Sequence, residues 1–203
     1  EAIRAGCEGW IRAEAAFEGV PDEAVTTPAL HGLTGDGALV TLPHRPDLRV
    51  RAFPVRHSVP SLGYTILAAK KKLKPAYLDL PGAEIARLRK AGVEVQVDAI
   101  DPLLTFIGDC DGATLLEQDH VWASPILILE ATFLEPGDEA LAAKKAHTHL
   151  AEIAAALAAL GDRVACQHIV LKHFSMKYPP ARVHALIAAG IPPRFRDRIR
   201  IFL

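Results

Sequence analysis

Three residues of this chain pair a metal-binding side chain with the end of an apolar, strand-like run. His57 follows VRAFPVR, Asp109 follows LLTFIG and His173 follows HIVLK. Imidazole nitrogen and carboxylate oxygen are donors that zinc accepts, and a carboxylate can bridge two neighbouring ions. Loops leaving one sheet edge can gather such donors from distant points in the chain. The spacing alone is weak, because a lone histidine at a strand end is more often a capped surface residue.

Those residues need a sheet to bring them together, and the hydrophobic pattern supplies one. Residues 1–18 read as a helix weakened by Gly6 and Gly9 and ended by Pro21, and residues 21–36 as a loop rich in Pro, Thr, Gly and Asp. From Ala38 the chain turns to strands: ALVTL, DLRVRAF and, beyond His57, GYTILA. Leu48, Val50 and Ala52 alternate with Arg49 and Arg51, the period of a half-buried strand. KKKLKPAYLDLPG reads as basic and irregular, and Gly82–Ala91 as a short helix stopped by Gly92. LLTFIG, PILILEATF, HIVLKHF and the closing RIRIFL read as strands. Helices are expected over Thr148–Leu160, with Leu150, Ile153, Leu157 and Leu160 inward, and over Pro180–Ala189. Strands alternating with helices make this an α/β chain.

Bulk composition narrows the classes. With 203 residues and 50% hydrophobic content the chain can bury a substantial core, and it is one large domain or a piece of a bigger protein. A formal charge of −1 means that any affinity for nucleic acid comes from a local patch. Cys7, Cys110 and Cys166 are odd in number and far apart, so they make neither a disulfide framework nor a C-x-x-C knuckle, and a reducing cytosol is expected. No apolar run reaches membrane-spanning length and no signal peptide opens the chain, so no membrane partner is expected. The chain opens at Glu1, without a methionine and part-way into a helical pattern, which reads as truncation, processing or a chosen boundary.

Four stretches, in order, resemble the tRNase Z branch of the metallo-β-lactamase superfamily: HSVPSLGY at 57–64, FIGDC at 106–110, LEATF with the following AHTHLAEI across 129–153, and KHFSMKY at 172–178. The likeness is greatest to the short form of that enzyme and covers the chain from about residue 38 to the end. It implies an incomplete αββα sandwich, the C-terminal two-thirds of the fold, forming a single domain over 1–203. It implies two zinc ions, with His57 on the first, Asp109 bridging both and His173 on the second. Glu130 matches the glutamate of the family's H-E-A-T motif and His147 the histidine of its H-S-T motif. The resemblance gives that pair the catalytic role, with His147 placed to protonate the leaving oxygen. A carboxylate accepting one ring N–H fixes the tautomer of such a histidine and raises the basicity of its other nitrogen. His149 reads as an exposed residue in the first helical turn.

The sequence departs from the family pattern in several places. Leu129 stands where H-E-A-T has histidine, Thr148 and His149 replace the Ser-Thr of H-S-T, and Lys177 stands where many relatives carry arginine. Cys110 replaces a threonine, as a buried structural thiol or a soft neighbour to the metal. The signature H-x-H-x-D-H does not occur, and His31 and His44 lie in loops without that spacing. It is expected upstream of Glu1, where it would supply the remaining metal ligands, so this polypeptide alone is expected to be inactive.

Lys70, Lys71, Lys72 and Lys74, with Arg87, Arg89 and Lys90, occupy the place of the family's tRNA-gripping arm, here 70–92. Charges on an arm suit phosphate contacts, which position without reading bases. An ordinary solvated lysine run is the alternative. The expected function is zinc-dependent removal of the 3′ trailer from precursor tRNA, by a cytoplasmic homodimer. The alternatives are another metal-dependent phosphodiesterase of the same fold, or a non-catalytic RNA-binding or structural remnant.

Overall fold

Alternation of apolar and polar residues from Leu39 onward builds one seven-stranded sheet, seen here in a computed structural model that describes residues 2–26 and 32–203. Glu1 and His31 lie outside the described residues. The chain divides into two units, residues 1–33 and 34–203.

The first unit holds helix α1 (Ala2–Phe17) and a single 3-10 turn at Asp22–Ala24 that follows Pro21. Gly19, at φ 75°, lets the chain leave the helix in the left-handed region, and Arg12 pairs with Asp22.

In the second unit the strands lie in chain order: β1 (Leu39–Leu42), β2 (Arg45–Val55), β3 (Ser61–Leu73), β4 (Gln96–Phe106), β5 (Ile126–Glu130), β6 (His168–Lys172) and β7 (Ile199–Ile201). The pairs from β1 to β4 are antiparallel, and those from β4 to β7 are parallel. Parallel neighbours need crossovers. These carry α3 (Thr114–Glu117) before β5, α4 (Glu139–Lys145) and α5 (Leu150–Leu160) before β6, and α6 (Pro180–Gly190) before β7. Helix α2 (Gly82–Lys90) lies between β3 and β4.

The period of two decides which face is buried. Leu127, Leu129, Ile169 and Leu171 are fully buried and share one core with Leu115, Leu150, Ile153, Leu157, Val183 and Ile187 from the helices. Their alternates Leu104, Ile126, Ile128 and Val170 are only half-buried. One sheet with helices on one face is half of an αββα sandwich, the α/β architecture expected. Gly63 on β3 sits opposite Phe53 on β2, and a Cβ there would collide with the phenyl ring.

The short helices α3 and α4 are additional to the sequence reading, and strands β3 and β4 differ from it. Lys70, Lys71 and Lys72 belong to β3 and are not irregular. Their partner β4 begins at Gln96, well before LLTFIG, and Pro102 is accommodated where the β3–β4 register shifts between Ile66 and Leu67. No helix among the described residues is long and apolar enough to cross a membrane.

Candidate metal centre

Strand direction gathers the candidate residues. β4, β5 and β6 run parallel, and β2 shares their direction because it is antiparallel to β3, which is antiparallel to β4. The loops after all four therefore leave the same sheet edge: His57 beyond β2, Asp109 beyond β4, Thr132 beyond β5 and His173 beyond β6. In open α/β sheets this carboxyl edge is where ligands bind. His147 arrives from the turn between α4 and α5. That turn is held to the β5 loop by a bridge pairing Phe133 with His149 and by Leu150 N–H donating to the Phe133 carbonyl at 2.8 Å.

One donor atom from each of Asp109, His147 and His173 lies within 4.8 Å of the other two. The His173 Nδ1 is 3.3 Å from Asp109 Oδ1. The His147 ring centroid is 5.4 Å from that of His173 and 5.3 Å from that of His57. The His57 Nδ1 is 2.8 Å from the carbonyl of Ala146. His57 thus stands beside the trio, next to His147, and not inside it. Ala146 and His173 have φ of 54° and 61°, left-handed conformations that cost a non-glycine residue about 1–3 kcal/mol and cluster at functional sites.

Glu130 anchors the centre from beneath. It is fully buried, yet every group that contacts its carboxylate can donate. Oε1 accepts from Cys110 N–H at 3.2 Å, Thr148 N–H at 3.0 Å and His147 Nδ1 at 2.9 Å. Oε2 accepts from Thr132 N–H at 2.9 Å and the Thr132 hydroxyl at 2.6 Å. A buried charge needs such partners. The same bonds tie together the loops after β4 and β5 and the turn before α5.

The departures from the expected motif are accommodated. Leu129 is fully buried in the core. Thr148 is buried and donates its hydroxyl to the Cys110 carbonyl at 2.8 Å. Cys110 is fully buried within the core cluster, the packing of a structural thiol, and burial pushes its thiol up to about 12. Lys177 pairs with Asp138 at 2.5 Å, and Tyr178 donates its hydroxyl to the same carboxylate at 2.6 Å. Those two donors hold the Asp138 carboxyl below its usual range. His149 corrects the sequence reading: it is 3% exposed, and it caps α5 by accepting from Ala151 N–H while Glu152 accepts from its own N–H. Glu152 stands at the capping-box position, but histidine in place of the usual Ser, Thr, Asp or Asn at the N-cap hides that signal in the sequence. Thr132 touches three members of the site; it stands at the threonine of the H-E-A-T motif, a signal that does not by itself say what the hydroxyl contacts.

The basic residues lie apart from this cluster. Lys70 and Lys72 both pair with Asp101, Lys71 pairs with Asp98, and Arg87 pairs with Glu84. Among the described residues, Lys74, Arg89 and Lys90 enter no ion pair.

No protein-family model matches the chain. It is 31% identical over 161 residues to tRNase Z TRZ1 of Arabidopsis thaliana, an alignment covering 76% of this chain and 55% of that protein. Chloroplastic tRNase Z TRZ2 of the same plant is 34% identical over 140 residues, covering 66% and 38%. The chain belongs to the tRNase Z family. It spans about half the length of the curated tRNase Z relatives it matches. Among solved structures, the metallo-β-lactamase fold protein YhfI of Bacillus subtilis matches with a TM-score of 0.50 at 9% identity, covering 92% of this chain and 57% of that one. That likeness concerns the fold alone.

Proposed function

We propose that this chain carries the proton-transfer and part of the metal-binding machinery of a zinc-dependent endoribonuclease that removes the 3′ trailer from precursor tRNA. The observation that carries the reading is the Glu130–His147 pair, bonded at 2.9 Å, set beside Asp109 and His173 in a tRNase Z sequence. The donor set fits zinc: two imidazoles and a carboxylate are the ligand types that such sites use. Zinc, when bound, supplies an activated water and offsets charge on the phosphate.

The chain's own residues would do the rest. Asp109 and His173 would hold the metal, with His57 alongside. Glu130 accepts the Nδ1 proton of His147 and so leaves Nε2 as the nitrogen that carries a transferable proton. As water oxygen bonds to phosphorus and the bond from phosphorus to O3′ breaks, His147 would deliver that proton to O3′. The tRNA then keeps a 3′-hydroxyl and the trailer leaves with a 5′-phosphate. Lys74, Arg89 and Lys90, free of carboxylate partners among the described residues, are the first choice for tRNA phosphate contacts. Lys70, Lys71, Lys72 and Arg87 must first give up the pairs described above. The family reading also carries a homodimer and a cytosolic setting.

A second reading of His147 is favoured by its place in the 4.8 Å trio, which would make it a third metal ligand. A carboxylate behind the imidazole suits either role. The test uses the complete gene product and a precursor tRNA with a 3′ trailer. Cleavage after the discriminator nucleotide, abolished by Asp109→Ala, is expected. Hydrolysis of a small diester without cleavage of the precursor would refute the tRNA reading and favour another phosphodiesterase. Inactivity on both substrates would favour a non-catalytic remnant.

A further inference from the structure

The hydroxyl of Thr132 lies between three members of the site. Oγ1 is 2.6 Å from Glu130 Oε2, 3.0 Å from His173 Nδ1 and 3.3 Å from His147 Nδ1. A hydroxyl has one proton and two lone pairs, and an ionised carboxylate only accepts. Glu130 already receives three backbone N–H groups, donors that favour its ionised, accept-only form, so the Thr132 proton goes to Oε2. Toward either imidazole, Thr132 can then act only as an acceptor. The His147 Nδ1–H is already directed at Glu130 Oε1. The remaining short contact is with His173, so its Nδ1 must carry the proton. Asp109 Oδ1 lies 3.3 Å from the same nitrogen, and a carboxylate so near favours the same tautomer by charge without bonding to it.

From this we infer that Thr132 is a positioning residue, which fixes His173 as its Nδ1–H tautomer and presents the Nε2 lone pair to a cation. One hydroxyl thereby couples the Glu130–His147 pair to His173. His173 needs such an anchor, because its backbone sits in the left-handed region and its side chain is 47% exposed. Thr132 is 8% exposed, so water competes little for the bond. Thr132 stands at the threonine of the H-E-A-T motif, but spacing does not give this role, since its three partners are 2, 15 and 41 positions away.

The inference rests on reading His173 as a metal donor, but its first test does not. Long-range proton–nitrogen NMR on the metal-free chain, in alkaline buffer where imidazole is neutral, should show His173 protonated at Nδ1. An Nε2–H tautomer overturns the inference without any substitution. Thr132→Val keeps the shape and removes the hydroxyl, and it should mix the His173 tautomers and weaken zinc binding about tenfold or more. Thr132→Ser should restore both. A folded valine variant with an unchanged tautomer and unchanged affinity refutes the coupling. If that variant does not fold, the wild-type and serine spectra decide. An Nδ1–H tautomer in a chain that binds no zinc would leave the positioning role standing and sink the metal reading, so the two failures are distinguishable.

Discussion

Glu130→Gln is the most informative single substitution, because it is nearly isosteric and replaces one accepting oxygen with a donating amide. The glutamine carbonyl can keep one oxygen position, and the Oε1 side with its three donors is the better choice. The amide nitrogen then faces Thr132. The Thr132 hydroxyl can reverse and accept from it, but the Thr132 N–H, 2.9 Å from the old Oε2, has no partner left. A buried orphan donor costs about 1–3 kcal/mol. The three retained bonds change from an ionic to a neutral acceptor, a loss of about 1 kcal/mol each. Against this, the variant no longer desolvates a charge, an offset of a few kcal/mol at most. The net destabilisation should be about 2–4 kcal/mol, a large part of a typical domain's margin. Urea unfolding should show a lower midpoint with unchanged slope. The reversed hydroxyl should also push the His173 proton toward Nε2. Destabilisation below about 1 kcal/mol, with the His173 tautomer unchanged, would refute the account of Glu130 as a buried, fully bonded carboxylate.

Further outcomes follow from the same geometry. In the complete gene product, His147→Ala should cut precursor cleavage by about a hundredfold or more while metal content holds; loss of metal would assign His147 as a ligand instead. Charge reversal at Lys74, Arg89 and Lys90 should weaken precursor binding and reduce its salt slope by about one unit for each phosphate no longer neutralised, with small-diester hydrolysis unchanged. Equal impairment on both substrates would remove the arm from the account. Of three cysteines, only the exposed Cys7 should react with a thiol reagent in the native chain, since burial holds Cys110 at about 12 and Cys166 at about 11. Rapid modification of Cys110 would contradict its packing. Asp138, held low by Lys177 and Tyr178, contributes stability that is present above its unfolded value near 3.9 and is lost as pH falls through its lower folded value. Asp138→Asn should therefore flatten the acid limb of the stability profile, and an unchanged limb would refute the clamp.

Much of this was legible because apolar periodicity marks strands that are buried on one face. PILILE, HIVLK and the helix over Leu150–Leu160 stand where their patterns place them. The N-terminal part of β4 was not legible, because Pro102, Asp98 and Asp101 break the pattern and pairing with β3 supplies what propensity lacks. The same cross-strand charges keep Lys70, Lys71 and Lys72 in a strand. α3 and α4 are too short for helical periodicity to show. At the site, His57, Asp109 and His173 could be picked out as donors at strand ends, and Glu130 and His147 from the family motif. The tight trio of Asp109, His147 and His173, with His57 to one side, depends on where the α4–α5 turn lands. Sequence spacing cannot give that, nor the three contacts of a single threonine hydroxyl.

The central claim is that Asp109 and His173 form a metal-binding pair on this chain, with His147 close by. Equilibrium zinc titration of the 203-residue polypeptide against a competing chelator tests it most directly. With a single trio of donors brought together among the described residues, and Asp109 and His173 both 40% or more exposed, binding should be weak, at most one ion per chain and easily stripped. Asp109→Ala with His173→Ala should abolish it. Zinc uptake unchanged in that double variant, or two tightly held ions in the parent chain, would contradict the account.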